Sequence, residues 1–591
     1  MATRTLRSGS IDALRHEVTR TEPRHPGGCN VPVAKYWLYQ EMWDALRAWT
    51  RQYPDLLTVE VLGESREGRR LPVATLTDRA TGPAAHKPAV LVDANIHAGE
   101  VAGNAVAMYW IASLLEGFAA DPVAAALLGE RTVYVVPRLA VDGAELYLTG
   151  PVRLRSSPHP YPDPEPTSGW VPEDVDGDGR ILQMRVAAVD GAFRADPGDP
   201  RLMVPRDPLD LEGPFYHVLP EGRLDRRHEV GRRPVWTEIQ LARRQAMDFN
   251  RNFPVRWAGE EGQPGAGPYP LSEPEIRSLV DFVDEHPNIG AYAALHTSGG
   301  VILRQPSTGA DTVLGAEDLG YYRTVSAMGA RLSGYQARSN YEAFASGHER
   351  GPLMPGAADD WAYDTRGILG FTVEIWNLRG RAGAKNYAEH GVRALRRLTS
   401  EERVADDKKV LAFVDVAVPG EPGFHAWRPF VHPDLGPVEI GGLEPKFLVQ
   451  NPPLSLLEGE CRAVSAFLTG LGRSTPRLLV GEVVCEPVGP DTVHVAVEVL
   501  NVGYLPTSGT AKGRELGRAR PVTAAIHGGT VVGGESPVPL SHLAGYGGAA
   551  DGSLPQRRLA EWTVRVEGPA ALTVVVDGGR AGRVEVSVPH P

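Results

Sequence analysis

The stretch AVLVDANIHAGE at residues 89–100, followed by the apolar segment Val101 to Leu115, decides the fold class. The nearly continuous apolar run Ala89 to Ile96 reads as a strand buried on both faces, and the segment after Glu100 as a helix that covers it. Strand followed by helix is the grammar of an α/β sheet. Working outward, Tyr36 to Tyr53 carries apolar residues at helical spacing, and Leu57 to Leu62 and Leu71 to Leu76 read as short strands. Val133 to Pro137, Ala291 to Leu295 and Gly370 to Ile375 add buried strands; Glu273 to Glu285, Leu319 to Leu332 and Glu401 to Phe413 add helices. The expected class is α/β, a mixed twisted sheet flanked by helices.

A chain of 591 residues exceeds one small module. Residues 1–35 alternate charged and polar types and read as a tail, and the α/β domain spans 36–415. Within it, about 150–233 is rich in Pro, Asp and Gly with little periodicity, too long for a plain connection, and reads as an inserted lid or rim. Residues 416–475 read as a Pro-rich extension ending in a closing helix, Leu454 to Leu471. After that the pattern changes to alternating β-branched runs at Leu478 to Val488, Val493 to Leu500, Val522 to Ile526, Trp562 to Val566 and Leu572 to Val576, so 476–591 is expected to form an all-β sandwich.

The 61 basic and 73 acidic residues leave a net charge of -12, which repels phosphate backbones and anionic membranes, so nucleic acid and membrane are not expected partners. The N-terminus has no apolar h-region, and Val101 to Leu115 is too short to span a bilayer. Cys29, Cys461 and Cys485 are far apart and form no CxxC pair. These features point to a reducing, cytoplasmic location.

Three predicted strands end in a residue of ligand or base type: His97, His296 and Glu374. Open α/β sheets place their ligands at such ends. His97 and Glu100 form an HxxE pair at the mouth of a helix. With His296 they make two nitrogens and a carboxylate, the set of a hydrolytic zinc site that keeps a fourth position open. After the excursion comes DFNRNF at 248–253, whose Asn250 and Arg251 are suited to gripping a substrate carboxylate through charge-assisted hydrogen bonds.

His97-x-x-Glu100, then Asp248-x-Asn250-Arg251-Asn252-Phe253, then His296, then Asp359-Asp360-Trp361-Ala362-Tyr363 leading to Phe371-Thr372-Val373-Glu374 resembles the zinc metallocarboxypeptidases of the carboxypeptidase A/B type. The likeness covers roughly Tyr36 to Ser400 and suggests a large, bacterial-like member with a C-terminal β-sandwich. It implies one zinc ion per chain, held by His97, Glu100 and His296, with Glu374 as the general base toward water and Asp248 orienting His97. It further implies that Asn250 and Arg251 bind the C-terminal carboxylate of a peptide and that an upstream arginine, matched to Arg185, stabilises the oxyanion. Asp359 falls where basic-specific members carry an acid at the base of the side-chain pocket, although two adjacent acids before Trp361 also suit a helix cap. Gly351 to Ala358 lacks the family's tyrosine, for which Tyr341 is the stand-in, unless it simply packs beside Phe344; Gly99 departs from the arginine of pancreatic members.

Asp174, Asp176 and Asp178 are spaced like the first half of a calcium loop, but Arg185 occupies the place of the closing glutamate, so an ion-free Asp/Gly turn stands beside a calcium clamp as a reading. The expected activity is hydrolysis of the C-terminal peptide bond. The alternative keeps the metal but acts as an amidase or deacylase on another carboxylate-bearing or peptidoglycan-type substrate. A non-catalytic binding protein conflicts with the complete ligand set, and a serine hydrolase with the lack of a GxSxG elbow.

Overall fold

The computed structural model describes residues 33–162, 169–225, 246–344, 354–418, 420–548, 554–566 and 571–589. Most of the expected tail and the downstream edge of the insertion near Arg233 lie outside the described residues. The chain first lays down β1 (Leu57–Glu64), β2 (Arg70–Leu76), β3 (Ala89–Ala94) and β4 (Thr132–Val136). The excursion carries six short strands: β5 (Gly169–Pro172), β6 (Gln183–Ala187), β7 (Phe193–Ala195), β8 (Met203–Pro205), β9 (Tyr216–Pro220) and β10 (Gly222–Asp225). Next come β11 (Ile289–Thr297), β12 (Val301–Arg304), β13 (Gln336–Ser339) and β14 (Leu369–Ile375), then a hairpin of β15 (Phe424–His432) and β16 (Gly436–Leu443).

Eight of these strands form one sheet in the order β1-β2-β4-β3-β11-β14-β12-β13. The middle four, β4, β3, β11 and β14, run parallel, and antiparallel pairs at β1/β2, β2/β4 and β12/β14 make the sheet mixed. The apolar run at residues 89–96 is explained by burial on both faces. Val90, Val92 and Ala94 enter the core with helix Val101–Gly117, while Ala89 and Leu91 enter the core with helix Pro274–Glu285. Among the described residues no single helix is long and apolar enough to cross a membrane; the bent pair Val101–Gly117 and Pro122–Glu130 together reaches that apolarity, and most of its first helix is core.

The excursion and the Pro-rich segment, which carry little periodicity in the sequence, meet in a six-stranded sheet, called the lid sheet, of order β15-β16-β6-β9-β7-β8, where β16 pairs antiparallel with β6. Strands of three to five residues carry too few positions for an alternation to register, and their partner hairpin is more than two hundred residues away.

The C-terminal strands are β17 (Leu478–Pro487), β18 (Thr492–Asn501), β19 (Val522–His527), β20 (Thr530–Gly533), β21 (Val538–Ser541), β22 (Arg557–Arg565), β23 (Thr573–Asp577) and β24 (Arg583–Ser587). They form two four-stranded antiparallel sheets, β17-β18-β22-β20 and β21-β19-β23-β24, around a core of Val495, Val497, Trp562, Val574 and Val576. This sandwich is docked on the catalytic domain by buried polar contacts. Arg580 donates to the carbonyls of Gly367 at 2.7 Å and of Arg366, and Asp318 accepts from the backbone N–H groups of Ala511 at 2.7 Å and Lys512 at 3.0 Å.

Candidate metal centre and active site

The centre lies at the C-terminal ends of the three adjacent parallel strands β3, β11 and β14, where such sheets present their ligands. β3 ends at Ala94, two residues short of the apolar run, because Asn95 takes a left-handed conformation with φ 57°. Asn95 Nδ2 donates to the carbonyls of His97 at 2.6 Å and Ala98 at 3.3 Å, which folds the turn that presents His97 and Glu100. On β11, His296 stands in register with Glu374 of β14. Glu374 is only half-buried as a residue, whereas His97, Glu100 and His296 are buried.

His97 Nδ1 lies 2.9 Å from Glu100 Oε1 and 3.1 Å from His296 Nδ1, which is itself 3.0 Å from Glu100 Oε2. His97 Nε2 lies 3.1 Å from Asp248 Oδ1. Asp248 is placed to accept a proton from Nε2, and in that tautomer Nδ1, which faces Glu100 and His296, offers a lone pair to a metal. Two imidazole nitrogens and a carboxylate thus converge within 4.8 Å, a donor set that fits zinc with one position left open. The side chains expected to bind the metal are the ones that meet here.

Charge around the triad is balanced by cations. Burial opposes ionisation of Asp248, but Arg155, Arg251 and His97 outweigh it and hold its carboxyl well below the usual carboxylate range. Glu100 is likewise resisted by burial yet held low by His97 and His296. Glu374 goes the other way: burial pushes it up to about 7, against the pull of His296 and with the help of Glu100. A carboxyl whose proton affinity lies near neutrality suits proton transfer.

Asn250 and Arg251 sit in the short turn Phe249–Arg251, where the Asn250 N–H donates to Asp248 Oδ1 at 3.0 Å. Asn250 Oδ1 accepts from the Ala358 N–H at 2.8 Å, which leaves its amide nitrogen as the remaining donor. Arg251 donates from Nη1 to the Asn250 carbonyl at 2.6 Å, and its Nε is buried without a partner. A guanidinium with an unmet donor beside an amide nitrogen is prepared for a carboxylate.

Arg185 is not at this centre. It lies on β6, paired with Glu439 at 2.8 Å and set between the rings of Tyr216 and Trp427, so its charge is spent within the lid sheet. The guanidinium beside the triad is that of Arg155, with Nη2 2.9 Å from Asp248 Oδ2 and Nη1 3.6 Å from Glu100 Oε1. Arg155 was missed because it follows helix Val141–Thr149 in an irregular stretch with no periodicity or motif around it. Its place before the Pro-rich run, nearer the metal-binding strands in sequence, was the one available signal.

Asp359 and Asp360 lie in the first turn of helix Ala358–Arg366, but the N-cap is Ala357, so neither acid is the cap. Asp360 is met by Arg256, Gln305 and Ser307. Asp359 is buried, accepts from Asn340 Nδ2 at 2.6 Å and from the Asp360 N–H at 3.0 Å, and has no cationic partner among the described residues. Tyr341 is half-buried on the short helix Asn340–Phe344, its backbone N–H donating to the Pro306 carbonyl at 3.1 Å, and no polar contact joins it to the triad. Residues 345–353, including the start of the Gly351 to Ala358 stretch, lie outside the described residues. The tyrosine that does border the centre is Tyr387, whose hydroxyl donates to the Ser298 carbonyl at 3.0 Å and is pushed up by burial and by Glu374 and Glu100.

The Asp/Gly loop gives no support to calcium. Asp176 and Asp178 pair with Arg428 at 3.3 and 2.8 Å, and Asp174 accepts from the N–H groups of Gly177 and Gly179. Glu221, whose carboxylate lies with those of Asp174 and Asp176 within 4.8 Å, accepts from the N–H groups of Val175 and Leu182, so protein groups already meet this cluster. A Cβ at Gly99 would lie 2.6 Å from Gln450 Nε2 and 3.0 Å from the Tyr147 ring, so a larger residue there requires the Gln450 amide to move aside.

A family model described as zinc carboxypeptidase matches residues 42–167 and 186–386, more than half of the chain. The chain belongs to the zinc carboxypeptidase family. Residues 477–589 separately match a model described as a domain of unknown function. Among curated relatives, carboxypeptidase B2 of Rattus norvegicus is 30% identical over 136 residues, which is 22% of this chain and 32% of that protein. Carboxypeptidase B2 of Bos taurus is 20% identical over 374 residues, covering 62% of this chain and 69% of the relative. The rat alignment therefore spans about a third of that relative's length. The crystal structure of a metallo-carboxypeptidase from Burkholderia cenocepacia superposes with a TM-score of 0.31 at 15% identity, over 65% of this chain and 70% of that one.

Proposed function

We propose that this family member is a metallocarboxypeptidase that removes a C-terminal residue, with Lys or Arg preferred at that position. The observation that carries the preference is Asp359, a buried carboxylate hydrogen-bonded to Asn340 and lacking any cationic partner among the described residues. An uncompensated buried carboxylate is costly unless a ligand brings the cation.

In this reading Arg251 and the Asn250 amide bind the terminal carboxylate, and Asp359 receives the basic side chain. A zinc ion held by His97, Glu100 and His296 would supply Lewis acidity toward water and toward the scissile carbonyl. Glu374 accepts a proton from water and returns it to the leaving amine. Arg155, fixed by Asp248, directs its guanidinium at the charge that develops on the carbonyl oxygen. Asp248 holds His97 in the tautomer that frees Nδ1 and at the same time orients Arg155.

The test is release of the last residue from peptides ending in Lys, Arg, Leu or Glu, each with a free or amidated terminus. Release of Lys and Arg from free termini alone supports the reading. Cleavage of amidated peptides with equal efficiency would instead mean that the carboxylate grip is unused and that the enzyme is an amidase.

A further inference from the structure

A cavity of about 520 Å³ near Lys446 and Tyr147 has its buried ammonium bonded to the carbonyls of Tyr147 and Gly150. A different cavity, of about 610 Å³, lies between the lid sheet and the catalytic domain. Its inner wall is Ser298, Gly299 and Tyr387. Ser298 follows Thr297, whose N–H donates to the metal-ligating Glu100 at 3.1 Å, and a Cβ on Gly299 would fall 2.0 Å from the Tyr387 hydroxyl and 3.0 Å from Glu374 Cβ. The cavity therefore begins next to the reacting groups. None of Asn250, Arg251, Asn340 or Asp359 lines it.

Its outer wall comes from the inserted lid and its hairpin, with Phe193, Met203, Val218 and Trp427 facing Leu395 and Leu411 of the catalytic domain. The charged groups at its margin are already used. Arg379 pairs with Asp407 at 2.8 Å, and Arg201 with Asp415 at 2.7 Å. Trp427 Nε1 donates to the Arg201 carbonyl at 3.0 Å, and Arg185 lies over its ring, 4.6 Å from the centroid. The indole is thereby fixed, and what the cavity offers a ligand is mainly apolar surface of the size that small-ligand pockets have.

We propose that this chamber, with Trp427 as its fixed aromatic wall, binds an aromatic or large aliphatic group on the upstream side of the scissile bond, either a side chain or an N-acyl cap. This rests on the proposed orientation of substrate: with the terminal carboxylate at Arg251 and the terminal side chain at Asp359, the remainder leaves past Glu374 on the Tyr387 side. Arg185, displaced from the oxyanion role, holds the indole of Trp427 in place.

The test uses the zinc-loaded full chain and two peptides that share a C-terminal Lys but carry Phe or Ala upstream of the scissile bond. Binding is measured by calorimetry on Glu374→Gln, and turnover on the otherwise unaltered protein. The expected result is at least about tenfold tighter binding of the Phe peptide, which is about 1.4 kcal/mol, and a ratio that falls to near one when Trp427→Ala is added. Equal binding of the two peptides, or a ratio unmoved by Trp427→Ala in a folded protein, overturns the proposal. Should Trp427→Ala lose its fold, Met203→Gln makes the same comparison by placing an amide in the wall. Absence of turnover on every peptide would defeat the carboxypeptidase reading, while the calorimetric ratio still decides the chamber.

Discussion

Asp248 holds two partners at once: His97 Nε2 lies 3.1 Å from its Oδ1, and Arg155 Nη2 lies 2.9 Å from its Oδ2. One carboxylate thereby sets the tautomer of a metal ligand and the direction of a guanidinium. Asp248→Ala is expected to weaken zinc affinity by about 10- to 100-fold, as loss of a ligand's outer partner commonly does. Competition with a chelator of known affinity measures it, and unchanged affinity contradicts the role.

Arg155 and Arg185 are expected to separate in kinetics. Arg155→Ala should lower kcat by roughly 10²- to 10³-fold with a smaller change in KM, the signature of a donor that acts on developing charge. Arg185→Ala should leave kcat on a small substrate nearly unchanged, because its partners Glu439, Tyr216 and Trp427 all belong to the lid. The opposite pattern would return the oxyanion role to Arg185.

The contrast between these two arginines marks what a single sequence can reveal. His97, Glu100, His296 and Glu374 were legible because each directly follows an apolar run or opens a helix, so local apolar pattern brackets them. Asp248, Asn250 and Arg251 stood out as a compact motif that the turn at 249–251 holds together. Arg155 has no such bracket. The lid strands were illegible for a related reason: β6 pairs with β9 on one side but on the other with Gly436–Leu443, far along the chain, and no local periodicity encodes that second pairing. The eight-stranded sheet and the sandwich were readable because long strands such as Ile289–Thr297 and Thr492–Asn501 carry many positions of pattern.

Asp359→Ala should cut kcat/KM for C-terminal Lys by at least about 30-fold and leave C-terminal Leu equal or better, since removing one side of a buried charge pair costs about 2–5 kcal/mol. A Lys preference that survives the substitution would place the determinant elsewhere.

The sandwich domain is expected to brace the helix that carries Asp359. Arg580 is buried and donates to the carbonyls of Arg366 and Gly367, at the C-terminal end of helix Ala358–Arg366. Arg580→Met should raise KM for Lys substrates several-fold while kcat changes less, and should lower the Tm. A Tm that falls with KM unchanged would restrict Arg580 to stability alone.

Glu275 gives a pH-dependent prediction. Burial pushes its carboxyl up to about 7, and its Oε2 is buried without a partner. Between about pH 4.5 and 7 the folded protein binds the proton more tightly than the unfolded chain, so the contribution of Glu275 to stability falls as pH rises through that window. Glu275→Gln should therefore stabilise the protein at pH 8, by about 3 kcal/mol, with little gain at pH 4, as denaturant titration at the two pH values would reveal. An equal effect at both would mean that the carboxyl titrates normally.

A catalytic zinc held by His97, Glu100 and His296 and working with Glu374 is testable through the zinc content of the purified chain together with C-terminal residue release from a mixed peptide pool, for the native protein and for Glu374→Gln. One zinc per chain is expected in both proteins, and residue release only in the native one. Zinc absent from the native protein, or residue release undiminished in Glu374→Gln, would contradict that assignment.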